Sequence, residues 1–211
     1  MIALGSRTWN SKAGSSSSGR IALFLSNKLG DVFAVCATHV FLPKAAQRKQ
    51  KIKASWPRNR SKKRLISKEV INIGGNIASD ISLAKLEDDV RSKAVNQFNY
   101  EPRKIIAVST PEDGQRLSLY NQNGKLIAGT VLKRKVRLNE KTDLITIKVD
   151  RRNYTDDGDS GALWFDPQTN AAVAVHSGRK RGTVYATELA VAVEALGSDY
   201  SLVSTNANEV V

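Results

Sequence analysis

The sequence predicts an all-β protein whose many short strands close into a barrel or sandwich, with one short helix near the C-terminus. Three observations carry this. Short apolar runs rich in β-branched and aromatic residues recur along the chain, Gly, Asn and Asp punctuate them, and one late stretch has the apolar face and stop of a helix.

Residues 1–19, rich in Ser and Gly (GSSSSG), read as a flexible lead-in. RIALFLSN and DVFAVCATHV follow as a hairpin turned at Gly30, with His39 at the end of its second strand. A basic insert spans 44–64, after which LISKEVINIG and SDISLAKLE are strands around Gly74 and Gly75, Asp80 opening the second. These elements make residues 20–86 a first lobe. The polar stretch 87–104 reads as an inter-lobe connection with room for a helical turn. Residues 105–200 form a second lobe of strands such as QRLSLYNQ, DLITIKV, GALWFD, AAVAVHS and TVYATEL, turning at Asn123-Gly124 and Asp166-Pro167. Thr187 caps the helix ELAVAVEAL, Gly197 ends it, and 201–211 is a tail.

The 211 residues suit one compact domain of two similar lobes. A single cysteine, Cys36, excludes an internal disulfide and indicates a reducing, cytoplasmic setting. No run approaches the roughly 18 apolar residues of a membrane span, and the first residues lack a signal-peptide core. Two histidines and one cysteine supply no zinc-ligand spacing, so no metal and no cofactor is expected. The net charge of +13 is local: 44–64 holds ten of the 33 basic residues and no acid, leaving 23 basic against 20 acidic residues elsewhere. With Trp56 inside it, this insert is a candidate surface for nucleic acid or an acidic protein.

Gly158-Asp159-Ser160-Gly161 alone is a plausible turn, His39 alone a strand-end histidine and Asp80 alone a strand-opening turn. Together they stand in the order His, Asp, Ser, each at a strand edge. A serine hydroxyl becomes a nucleophile when an imidazole takes its proton, and an aspartate fixes the imidazole tautomer. CATHV, SDISLAKL and GDSGALW resemble the histidine, aspartate and serine motifs of the trypsin/chymotrypsin family, and the strand rhythm agrees over about residues 19–197. The resemblance implies two six-stranded antiparallel β-barrels and a serine endopeptidase with His39 as base, Asp80 as orienting residue and Ser160 as nucleophile. It also implies an oxyanion hole from the amides of Gly158 and Ser160.

By the same resemblance the pocket floor falls on Tyr154, so a preference for Arg or Lys is not supported. AVAVHSG resembles the strand of glutamate- or glutamine-specific members, which makes Thr155 and His176 substrate-reading residues. One departure is regulatory: no Ile-Val-Gly-Gly terminus is present to pair with Asp159, so another basic group or a bound partner must serve. Two rival readings stand beside a cellular protease: a catalytically silent binding module of the same fold, and a viral polyprotein-processing protease.

Overall fold

The computed structural model describes residues 2–11, 18–42, 51–56, 59–73, 79–98, 100–101, 103–138, 141–150, 154–180 and 182–203, with backbone alone for 56, 59–62 and 141–143. The turn expected at Gly74 and Gly75 lies outside these residues, as do 12–17 and 204–211.

The second half closes into a six-stranded barrel. Its strands are β12 (Arg116–Tyr120), β13 (Leu126–Leu138), β14 (Lys141–Val149), β15 (Leu163–Phe165), β16 (Ala171–Lys180) and β17 (Thr183–Glu188), and pairing of β16 with β17 completes the ring. Every pairing within it is antiparallel. A short strand β11 (Ala107–Val108) adds to β16 in parallel. Alternate residues point inward, so Leu117, Leu119, Ile145, Ile147, Trp164 and Ala186 fill the interior.

The first half is built from two sheets. One holds β4 (Leu23–Asn27), β5 (Val32–Ala37), β8 (Glu69–Asn72) and β9 (Ile81–Lys85), with β18 (Tyr200–Leu202) on its edge. The other holds β2 (Arg7–Asn10), β3 (Ser18–Arg20), β6 (Ile52–Trp56) and β7 (Asn59–Ser67). The expected six-stranded first barrel is therefore not an unbroken ring among the described residues. The chain switches sheets at corners instead. Ile21 donates to Ser6 at 3.0 Å and Ala22 donates to Val35 at 2.8 Å, so neighbouring amides serve different sheets, while Lys68 alone separates β7 from β8.

The lead-in differs from expectation too. β1 (Ile2–Leu4) pairs in parallel with β10 (Ala94–Phe98), and Ile2 and Leu4 are buried, because their apolar side chains complete the first core. The basic insert contains the β6–β7 hairpin; residues 43–50 and 57–58 of this region lie outside the described residues. The connecting segment supplies the short helix α2 (Asp88–Arg91) and β10, whose buried Asn96 acts as a strand edge: its side chain accepts from Phe24 N at 2.7 Å and donates to Phe24 O at 2.9 Å.

His39 does not end β5; it lies one residue into α1 (Thr38–Phe41), the helical turn that follows. The last helix, α3 (Leu189–Leu196), stops at Gly197 as expected, but Thr187 does not cap it. The Thr187 hydroxyl instead meets Ser177 Oγ on the neighbouring strand β16 at 3.0 Å. No helix among the described residues is long and apolar enough to cross a membrane.

Candidate active site

Strand β9 begins just after Asp80, and β5 leads into α1 with Ala37 opposite Ile81, so the sheet itself sets His39 beside Asp80. His39 Nδ1 and Asp80 Oδ2 are 2.9 Å apart, and the His39 backbone N–H donates to Asp80 Oδ1 at 3.3 Å. The Asp80 carbonyl accepts from Thr38 N at 3.0 Å, fixing the backbone from both sides. Asp80 is 2% exposed, whereas the imidazole is 42% exposed. A buried carboxylate on Nδ1 holds the proton there and leaves Nε2 as the basic nitrogen.

Ser160 sits on the turn before β15. Gly158 and Gly161 have φ of 99° and 84°, in the left-handed region that favours glycine. The Ser160 carbonyl accepts from Arg20 N at 2.7 Å, and the Gly161 amide donates to the His176 carbonyl at 2.8 Å. Gly19 packs so closely that a Cβ there would run into the Ser160 carbonyl. The amides of Gly158 and Ser160 donate no hydrogen bond among the described residues. Ser160 Oγ is not hydrogen-bonded to His39; the structure joins His39 to Asp80 and holds the serine turn separately.

Asp159 is completely buried. Its Oδ1 accepts from Gln122 N at 2.6 Å and its Oδ2 from Asp156 N at 2.8 Å. Burial pushes its carboxyl above the ordinary range, against those two amides and the charge of Arg20. Arg20 is close enough for its charge to favour the ionised Asp159, while its guanidinium donates to the Gly5 and Gln122 carbonyls.

Beside Ser160 lies a cavity of about 230 Å³ lined by Thr155, Asp156, Asp157, His176, Gly178 and Arg179 as well as the serine. Of the three residues singled out for a substrate pocket, Thr155 and His176 line it and Tyr154 does not. That side chain is 64% exposed, with the Arg179 guanidinium 5.8 Å from its ring centroid. Sequence reasoning missed Asp156, Asp157 and Arg179 as lining residues and Arg20 as the partner of the turn. The acids adjoin the GDSG string, so the signal was present; Arg20 carried none. In the basic insert, Lys63 lies over the Trp9 ring and Arg64 pairs with Asp89. No group of three or more His, Cys, Asp or Glu among the described residues is placed to hold a metal ion.

No protein-family model and no curated relative matches the sequence. Solved structures do match. A glutamic-acid-specific serine protease, described as using a histidine triad in substrate binding, aligns with TM-score 0.69 at 17% identity, covering 95% of this chain and 100% of its own. Protease A of Thermobifida fusca aligns at 0.65 and 14% identity over 96% and 100%, and a Cellulomonas bogoriensis chymotrypsin at 0.64 and 17% over 97% and 100%. Closed antiparallel barrel, paired sheets and neighbours agree: the chain has the chymotrypsin-like fold of the serine proteases.

Proposed function

We propose that this protein is a serine endopeptidase acting through His39, Asp80 and Ser160. The observation that carries the reading is the His39–Asp80 pair, 2.9 Å apart, in a fold that also sets Ser160 on the wall of a cavity. Ser160 Oγ attacks the scissile carbonyl while His39 Nε2 takes its proton. The oxygen, now negative, is held by the Gly158 and Ser160 amides. Collapse expels the amine, which leaves with the proton from His39, and the acyl group stays on Ser160. Water then attacks, His39 takes its proton, and the acid is released as Ser160 regains a hydrogen. Asp80 remains ionised and stabilises the imidazolium.

The substrate is a protein whose residue before the cleaved bond carries Glu or Gln, read by Thr155 and His176. The unpartnered Thr155 hydroxyl in the cavity supports this. Cys36, the single cysteine, is buried beneath Gly161 with its thiol pushed far above its ordinary pKa by burial, and a lone cysteine that forms no internal disulfide supports a reducing compartment.

The test is labelling with a fluorophosphonate probe, comparing the protein with Ser160→Ala and His39→Ala. Labelling of the parent that both variants lose is the expected result. An unlabelled parent would overturn the reading in favour of a silent binding module of this fold.

A further inference from the structure

The cavity beside Ser160 has donors, acceptors and charges that treat an amide and a carboxylate differently. Trp164, wholly buried in the barrel, donates its indole N–H to His176 Nδ1 at 3.3 Å. An indole nitrogen only donates, so Nδ1 must present a lone pair and the neutral ring keeps its proton on Nε2. His176 is itself 2% exposed. Burial brings its pKa down to about 3, with further lowering by His39 and Arg179 and an opposing pull from Asp80. The ring therefore stays uncharged at neutral pH and has one N–H left to give.

The remaining wall is equally specific. Thr155 is 2% exposed and its Oγ1 has no hydrogen-bond partner among the described residues, so a buried hydroxyl waits for a ligand group. Asp156 and Asp157 line the cavity at its exposed side. Its one cation, Arg179, is also exposed and is drawn towards the Tyr154 ring. With the imidazole neutral, the formally charged lining residues are two acids, Asp156 and Asp157, and one arginine, Arg179.

We propose that this cavity selects glutamine over glutamate, and that Trp164 is the positioning residue responsible, because it holds His176 as an uncharged donor of one tautomer. The inference rests on the endopeptidase reading above. A glutamine carboxamide is matched throughout: its oxygen accepts from His176 Nε2–H, and its NH₂ donates to Thr155 Oγ1, with the acidic Asp156 and Asp157 also among the lining residues. A glutamate carboxylate offers acceptors only. It would meet one neutral N–H, one hydroxyl and two like charges, and would surrender its hydration for them.

The experiment uses the full chain and coumarin-amide peptides that differ only in the residue before the cleaved bond: Gln, Glu, Ala or Lys. At pH 7.5, kcat/KM for Gln is expected to exceed that for Glu by about tenfold or more. In Trp164→Phe, which keeps an aromatic ring but loses the donor, His176 can change tautomer and that ratio should shrink. An equal or reversed Gln:Glu ratio in the parent, or a preference for Lys, overturns the inference while leaving the fluorophosphonate result, and so the endopeptidase reading, intact. No cleavage together with no labelling overturns the reading beneath it. An unchanged ratio in a folded Trp164→Phe removes Trp164 from the account. Nitrogen-15 NMR of His176 in Ser160→Ala is independent of turnover and of how Trp164→Phe folds. A neutral Nε2–H ring from pH 5 to 8 is expected, and an Nδ1–H ring or titration near the ordinary histidine value overturns the proposal.

Discussion

Arg20 and Asp159 grip Gln122 from two sides: Arg20 Nη2 donates to the Gln122 carbonyl at 3.0 Å, and the Gln122 N–H donates to Asp159 Oδ1 at 2.6 Å. Arg20 Nη1 also donates to the Gly5 carbonyl at 3.1 Å, and Arg20 N reaches the Ser160 carbonyl. One buried arginine thus links the first strand, the 122 turn and the serine turn.

Removing that charge should loosen the turn that carries Ser160. Arg20→Gln is expected to lose about 3 kcal/mol of stability, the cost of breaking a buried, hydrogen-bonded charge, and to lower the fraction of molecules that react with the probe. Arg20→Lys, which keeps the charge without the two-pronged geometry, should fall between. Urea unfolding and active-site titration measure both. Parent-like values in Arg20→Gln would mean that the two amides alone hold Asp159.

His176 makes stability depend on pH. Its folded pKa, about 3, lies below the unfolded 6.5, so the folded state binds fewer protons. The contribution is full above pH 6.5 and is lost as pH falls from there towards 3. It amounts to about 2 kcal/mol between pH 7 and 5 at roughly 1.4 kcal/mol per pH unit. Urea midpoints for the parent and His176→Gln should converge on acidification, and parallel curves would contradict this.

Asp80→Asn should cut kcat by about 10⁴, the loss known for this substitution in well-studied triads of this fold, because an asparagine NH₂ facing Nδ1 forces the proton onto Nε2. The fold should survive, since the side chain is isosteric. Labelling rates and circular dichroism separate the two effects. A loss below tenfold would remove Asp80 from the proposed triad.

Gly161→Ala should be worse than most surface substitutions. The residue has φ of 84°, and a Cβ would strike the Arg20 carbonyl and Cys36 Sγ. Strain and overpacking together predict a loss of about 2–4 kcal/mol. A fall in melting temperature of less than 2 °C, roughly what a few tenths of a kcal/mol produce, would refute the packing.

The positions of the candidate residues relative to strand ends and turns were legible in the sequence. His39, Asp80 and Ser160 each sit near a strand boundary that apolar runs and turn residues mark, whereas Thr155 and His176, which line the cavity, were singled out through the family resemblance. What escaped depends on contacts between distant segments. Ile2 and Leu4 look like part of a loose lead-in until β10 is available to pair with them. Trp164 reads as one more core aromatic, because its bond to His176 exists only once β15 and β16 are side by side. Tyr154 was misplaced for a related reason: counting back from the nucleophile fixes a position along the chain, not the direction in which its side chain leaves the loop.

Residues 200–202 pair with 25–27, and Val203 N reaches the Phe24 carbonyl at 3.1 Å. During synthesis this makes the sheet that leads into His39 one that starts early, at β4, and is finished late, at β18. β4 must keep one edge unpaired while the second half of the chain is made, on the order of ten seconds at ribosomal rates of about 5–20 residues per second. An open edge of that kind invites pairing with another nascent chain. The sheet next to His39 is therefore completed only when residues 200–203 reach β4, and chains that stop short of them keep that edge open to aggregation.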